Sequence, residues 1–213
     1  MKYKKYFRKT SLKQTEDANF FLSLINEKKP KNFLEIGVFH GVTARNVCEL
    51  LNIIHGNEFN YIGVDLFEES KENTNEIIPK TNFLNPLKNF FFKYIKRQNP
   101  YSIEAVEDLL NKFKRNVSLI KGNSNIILKK INLSKVDFIF IDGGHDYLTV
   151  KNDLSSSIEI LQKGGTILCD DYNLTNAPGV KKAIDEIVAE NKLKCDFYCN
   201  YRFAKIEKSN FIN

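Results

Sequence analysis

Short apolar runs that each stop at a glycine or a polar residue, with helical stretches between them, constrain this chain more than any other feature. They are Phe33-Leu-Glu-Ile-Gly37, Tyr61-Ile-Gly-Val64 closed by Asp65, Val117 to Ile120 stopping at Gly122, Val136 to Ile141, and Thr166-Ile-Leu-Cys169. The run Val136-Asp-Phe-Ile-Phe-Ile141 is apolar but for Asp137, as expected of a parallel strand covered on both faces. Helical periodicity fills the gaps. Asn19–Glu27 places Phe20, Phe21, Leu24 and Ile25 on one face, and Thr43–Ile54 turns Val47, Cys48, Leu50, Leu51 and Ile54 inward. Residues 101–114, Leu148–Gln162 and Val180–Asn191 repeat the pattern, and Lys194–Tyr198 and Arg202–Ile206 read as two closing strands. Strands alternating with helices predict an α/β fold: a doubly wound sheet with right-handed crossovers and helices on both faces, mostly parallel with an antiparallel last strand.

A chain of 213 residues is long enough for one domain with a substantial core, so residues 1–213 are expected to form one. Residues 67–100 break the rhythm with Pro79, Pro86, Pro100 and the run Phe90-Phe-Phe92. A long irregular excursion in a compact domain is functional or disordered, and its aromatic content favours a lid over a site. No stretch approaches the roughly 20 apolar residues of a spanning helix, and the basic start MKYKKYFRKTSLKQ lacks a secretory apolar run, so the expected location is the cytoplasm. Cys48 and Cys169 sit in apolar runs as small hydrophobes, while Cys195 and Cys199 have no second pair to complete a zinc site. The net charge of +6 keeps nucleic acid in view, but the excess is local, at Lys2–Lys13 and Lys80–Arg97, and reads first as solvated surface. The basic arm at the N-terminus is placed to pack on a neighbour, which leaves a homo-oligomer open.

In an open α/β sheet, ligands bind beyond the carboxyl ends of the strands. Here those positions carry Gly37, Asp65, Asn123, Asp142, Asp170 and Asp171, an acidic set for a set of loop starts. The alternative is solvated turns and helix caps, which Asp and Asn also favour. Gly37 and Gly41 allow close backbone approach, and the helix after them offers its N-terminus to an anion. Their G-x-x-x-G spacing is not the dinucleotide G-x-G-x-x-G. Asp65 suits the hydroxyls of a ribose and Asn123 an adenine edge; in order along the sheet they describe an adenosine site.

EIGVFHG, VDLFEE, IKGNS, FIFIDGGHDY and GGTILCDDYN, taken together, resemble the successive motifs of class I S-adenosylmethionine-dependent methyltransferases, in the branch of catechol O-methyltransferase-like and macrocin-type enzymes. The resemblance runs over residues 15–208, and D-G-x-H-x-Y followed by Lys151 and Asp153 is its most diagnostic part. Many relatives have glycine where Phe39 stands. The resemblance implies a Rossmann-like fold and an S-adenosylmethionine site, with Glu35, Gly37 and Gly41 at the methionine end, Asp65 on the ribose, Asn123 and Ser124 at the adenine, and Asp142 beside the sulfonium. It implies Mg²⁺ on Asp142, Asp170 and Asp171, which agrees with the repulsion three carboxylates would otherwise suffer. Without a metal, Asp142 stands near the sulfonium and Asp170 or Asp171 caps a turn. His145 stands where the catechol-type enzymes place a catalytic lysine; it is either the general base or a turn histidine. The expected reaction is methylation of a small-molecule hydroxyl on a sugar, polyol, catechol or natural product. Three rivals stand beside it: a nucleic-acid methyltransferase, for which no Asn/Asp-Pro-Pro-Tyr pocket motif is present; a nicotinamide dehydrogenase, whose glycine spacing is absent; and a non-catalytic protein with a relict cofactor pocket.

Overall fold

The computed structural model describes residues 8–67, 83, 85–131, 133 and 135–207. The chain runs α1 (Thr15–Lys28), β1 (Asn32–Ile36), α2 (Val42–His55), β2 (Asn60–Asp65), α3 (Pro86–Phe90, continuing as a π-helix Phe91–Lys96), α4 (Ile103–Leu110, ending in a 3₁₀ turn Asn111–Phe113), β3 (Val117–Lys121), α5 (Ser124–Lys130), β4 (Val136–Ile141), α6 (Tyr147–Ile160), β5 (Leu161–Cys169), α7 (Pro178–Glu190), β6 (Cys195–Tyr198) and β7 (Phe203–Glu207). The strands form a 7-stranded sheet in the order β3-β2-β1-β4-β5-β7-β6. The first five are parallel, and β7 enters antiparallel to β5 with β6 antiparallel to it in turn. This is the mostly parallel, doubly wound α/β sheet with an antiparallel last strand. No helix among the described residues is long and apolar enough to cross a membrane.

Alternation along the strands divides the core by chemistry. Phe33, Tyr61, Phe138, Phe140 and Phe203 face α1, α2 and α4, where Phe33 stacks on Phe138 at 5.1 Å and on Tyr61 at 5.9 Å. Leu34, Ile36, Val64, Ile139, Ile141 and Ile167 face Leu128, Val150, Leu154, Val180, Ile184 and Ile187 of α5, α6 and α7. A period of two thus separates an aromatic layer from an aliphatic one. The strand order reverses between β1 and β4, and the chain ends that leave this switch point build the site.

Several boundaries differ from the sequence expectation. α1 begins at Thr15, four residues earlier, because Asp17 and Glu16 suit a helix's first turn although they break the apolar pattern. α6 ends at Ile160 and β5 begins at once, so residues 161–165 are strand. α5 was not expected at all. The part of 67–100 that the structure describes beyond Phe67 is largely helical: Asn85 Oδ1 accepts the Leu87 N–H and Pro86 occupies the first turn, a start signal read as a loop. The rest of that lid expectation, residues 68–82 and 84, lies outside the described residues, as do Lys2, Lys4 and Lys5.

Candidate active site

The first turn is shaped by close approach. Gly37 has φ +93°, and a Cβ there would lie 2.1 Å from the Asp142 carbonyl oxygen, since β1 and β4 leave the sheet almost touching. Gly41 caps α2 at φ +72°, where a Cβ would meet Val106 at 2.7 Å. No side chain caps α2, so its first-turn N–H groups and positive dipole end face the rim. Between the glycines Phe39 holds φ +50°, an unfavourable region for a bulky residue. Its N–H is held by Asp65 Oδ2 at 2.7 Å, which helps fix this conformation.

Asp65 accepts three hydrogen bonds at the rim. Besides Phe39 it takes the Phe67 N–H at 2.9 Å and the Tyr101 hydroxyl at 2.7 Å. Glu35 is buried, with its carboxyl bonded by the Tyr61 hydroxyl inside the core rather than presented at the surface. Burial pushes its pKa up to about 8, opposed by the Tyr61 hydrogen bond and helped by the Asp65 charge. Asn123 is the N-cap of α5, its Oδ1 accepting from Asn125 N at 2.9 Å, and Ser124 opens that helix. The adjacent Asn125 Oδ1 is buried without a partner among the described residues.

Asp142, Asp170 and Asp171 converge: one carboxylate oxygen from each lies within 4.8 Å of the others. The space they share with Gly143, Gly144 and His145 is about 10 Å³, room for one water or ion. Each carboxylate has a different neighbour. Arg202 grips Asp170 with Nε and Nη2, both at 2.7 Å, and reaches Asp17 of α1 with Nη1 at 2.7 Å. His145 Nε2 meets Asp171 Oδ2 at 3.0 Å. Ser11 donates to Asp142 Oδ2 at 2.7 Å. Desolvation, then the charges of Asp170 and Asp171, push the Asp142 carboxyl well above the usual carboxylate range. Desolvation also raises Asp170, against the Arg202 contact.

Sequence reasoning missed the segment that crosses this rim. Arg8, buried, donates to three backbone carbonyls: His40 at 3.2 Å, Pro100 at 3.0 Å and Ala105 at 2.7 Å. Lys9 N donates to His40 Nδ1 at 3.1 Å, Thr10 meets Thr43, Ser11 reaches Asp142, and Leu12 is fully buried in the aromatic core. What reads as the end of a basic tail is a strap tied across the site. His40 is fully buried beneath it, and desolvation with the charges of Arg8 and Lys9 lowers its pKa to about 3. His55 instead closes α2 and bonds the Lys29 carbonyl.

A family model described as a methyltransferase domain matches residues 34–172. A protein described as a probable cobalt-precorrin-6B C(15)-methyltransferase (decarboxylating) from Saccharolobus solfataricus is 35% identical over 96 residues, 41% of this chain and 47% of that protein. The chain spans 32% and 47% of the lengths of the curated relatives it matches first. Among solved structures, the calicheamicin methyltransferase CalS11 superposes with a TM-score of 0.65 at 13% identity, over 97% of this chain and 90% of that one. The O-methyltransferase from Bacillus cereus in complex with S-adenosylhomocysteine superposes with a TM-score of 0.57 at 14% identity, over 92% of this chain and 82% of that one. At such identities the likeness is one of fold.

Proposed function

Because the chain belongs to the methyltransferase domain family, we propose that it transfers a methyl group from S-adenosylmethionine to a hydroxyl oxygen of a small molecule. The carrying observation is the convergence of Asp142, Asp171 and His145 at the switch point, beside an uncapped helix N-terminus. The fold shared with an O-methyltransferase holding S-adenosylhomocysteine supports the cofactor and the oxygen acceptor. S-adenosylmethionine would supply the methyl carbon for in-line attack, and Mg²⁺ would hold the acceptor oxygen and lower its pKa.

The chain's own residues divide the work. Gly37, Gly41 and the N–H groups of α2 receive the methionine carboxylate, with Glu35 supporting the turn from within the sheet. Asp65 takes the ribose hydroxyls in exchange for the Tyr101 hydroxyl. Asn123 and Ser124 border the adenine, and the unpartnered Asn125 Oδ1 suits its amino group. Asp142 faces the sulfonium. His145, whose Nε2 meets Asp171 Oδ2, would take the acceptor's proton. Hard oxygens around a space of one ion fit Mg²⁺ on Asp142, Asp170 and Asp171. The Arg202 grip on both Asp170 oxygens supports a second reading, the same reaction without metal, in which Arg202 and His145 balance the carboxylates. In either form the acceptor is a small molecule rather than nucleic acid, the residues around Phe90–Phe92 close its side of the site, and the protein works as one cytoplasmic domain.

His145→Ala tests the assignment: turnover falls by about 10²–10⁴-fold while S-adenosylhomocysteine affinity, read by calorimetry, stays. A fully active variant removes His145 as the base. Loss of activity on chelation, restored by Mg²⁺, selects the metal form; indifference to chelation selects the metal-free one.

A further inference from the structure

Helix α3 and its π-helical continuation project from the fold rather than pack into it: from Pro86 to Lys96 only Phe92 is buried. Four of the nine large apolar side chains exposed among the described residues fall within nine positions of this segment. They are Leu87 at 76%, Phe90 at 54%, Tyr94 at 57% and Ile95 at 63%. We propose that this ridge is a membrane-docking surface that seats the protein in the headgroup region of an anionic lipid bilayer. The assignment stands independently of the methyl-transfer reading.

The chemistry of the segment selects lipid. Leu87 precedes Phe90 by about one helical turn, and the Phe90 ring meets Tyr94 at 5.0 Å, so apolar groups follow one another along the outside. Basic side chains flank them: Lys88 is partly exposed, and Lys93, Lys96 and Arg97 are exposed. Lys96 meets Asp108 of α4 at 2.8 Å, and the sequence holds no Asp or Glu between Glu76 and Glu104, so the flank keeps a positive excess. Exposed aromatic and aliphatic groups edged by cations on flexible stems are the pattern of a helix lying in a bilayer interface. The cytoplasmic leaflet supplies the matching negative charge. A second copy docked about a two-fold axis would set these cations against themselves. Single-stranded nucleic acid would use the cations and the rings but leave Leu87 and Ile95 without a role.

The inward side of the ridge is tied down, which keeps the outward side presented. Asn89 Oδ1 accepts the Phe83 N–H at 2.9 Å, and Asn89 Nδ2 donates to the Phe83 carbonyl at 2.7 Å. Phe92 stacks on Phe83 at 5.5 Å beneath the Arg8 guanidinium, 5.3 Å from its ring. Gln98 N closes on Phe92 O at 3.1 Å and ends the helix. A helix already folded and anchored loses little conformational freedom on docking. It is also short: Pro86–Lys96 spans about 16 Å at the rise of an α-helix, enough for reversible seating at an interface and too little to cross it.

The test is co-sedimentation of the full chain with lipid vesicles at about 0.15 M salt, near physiological screening. Vesicles of phosphatidylcholine with about 30% phosphatidylserine are expected to carry the protein down at millimolar lipid, and phosphatidylcholine alone about tenfold less well. Leu87→Ser combined with Ile95→Ser should weaken binding about tenfold or more, and Lys93→Gln combined with Arg97→Asn about tenfold. All four positions are exposed, so the melting temperature of each variant should match the parent's. The chain has no tryptophan, so Tyr94→Trp gives an emission that reports the ridge alone and should shift to the blue when phosphatidylserine vesicles are added. Absence of sedimentation with these vesicles, or an unshifted emission, would overturn the assignment. So would an apolar variant that binds like the parent, since the attraction would then be that of a basic protein as a whole. A dimer in the absence of lipid that Leu87→Ser with Ile95→Ser separates would give the ridge to a second copy, and would equally overturn it.

Discussion

Gly37 and Glu35 sit two residues apart, and the structure uses them in opposite ways. Gly37 is required by space: any Cβ would overlap the Asp142 carbonyl, and φ +93° disfavours a side chain regardless. Gly37→Ala is therefore expected to cost about 3 kcal/mol or more, read as a lowered urea midpoint with an unchanged slope. Glu35 is held by burial. Its pKa of about 8 exceeds the ordinary value of about 4.3, so between those limits the folded state keeps a proton that the unfolded state has released. Stability attributable to this group is thus full at low pH and declines as pH rises toward 8. Glu35→Gln keeps an acceptor for Tyr61 and removes the titration, so its stability profile between pH 5 and pH 8 should be flatter than the parent's. Equal slopes would place the Glu35 carboxyl in contact with water. The sequence made the turn legible because two glycines follow an apolar run that contains a carboxylate. It could not distinguish a glycine needed for a neighbour's carbonyl from one needed for a ligand, since both demands select the same residue.

At the level of elements, the five parallel strands and the helices α1, α2, α6 and α7 were readable because each carries a long apolar stripe. α5 was not: its seven residues, SNIILKK, are too few to show an apolar period. The strap was illegible for another reason. Its anchors are side-chain contacts to backbone atoms 32, 92 and 97 residues away, which leave no periodic trace. Those contacts make a prediction. Arg8→Leu strands three buried carbonyls and should cost about 2–4 kcal/mol, with Ser11 and the rim loosened together. Leu12→Ala should cost a comparable amount by core truncation alone. The two differ in their effect on the site: Arg8→Leu should also weaken S-adenosylhomocysteine binding, because His40 and the first turn lose their tie, whereas Leu12→Ala should act mainly through stability. Hydrogen exchange of the 38–43 amides would register the difference, with faster exchange in Arg8→Leu.

Across the whole molecule, one side chain joins the two ends of the described chain. Arg202, in the β6–β7 turn, holds Asp170 at the tip of β5 and Asp17 in the first turn of α1, 185 residues away. Burial of Asp170 is tolerable because the guanidinium meets both of its oxygens, a planar pairing lysine does not reproduce. Removing the partner leaves an uncompensated buried charge, which typically costs about 3–5 kcal/mol. Arg202→Ala should therefore unfold earlier, and by an amount that depends on pH. Without the guanidinium, desolvation raises the Asp170 carboxyl further above its unfolded value, so the folded state holds a proton the unfolded state lacks, and stability falls as pH climbs through that window. The deficit should be smallest near pH 5 and largest near pH 8. Asp170→Asn combined with Arg202→Ala removes the buried charge with its partner, and should recover part of the loss and most of the pH dependence. A deficit that stays constant from pH 5 to pH 8 would mean that Arg202 works by packing against Phe203 rather than by neutralising Asp170.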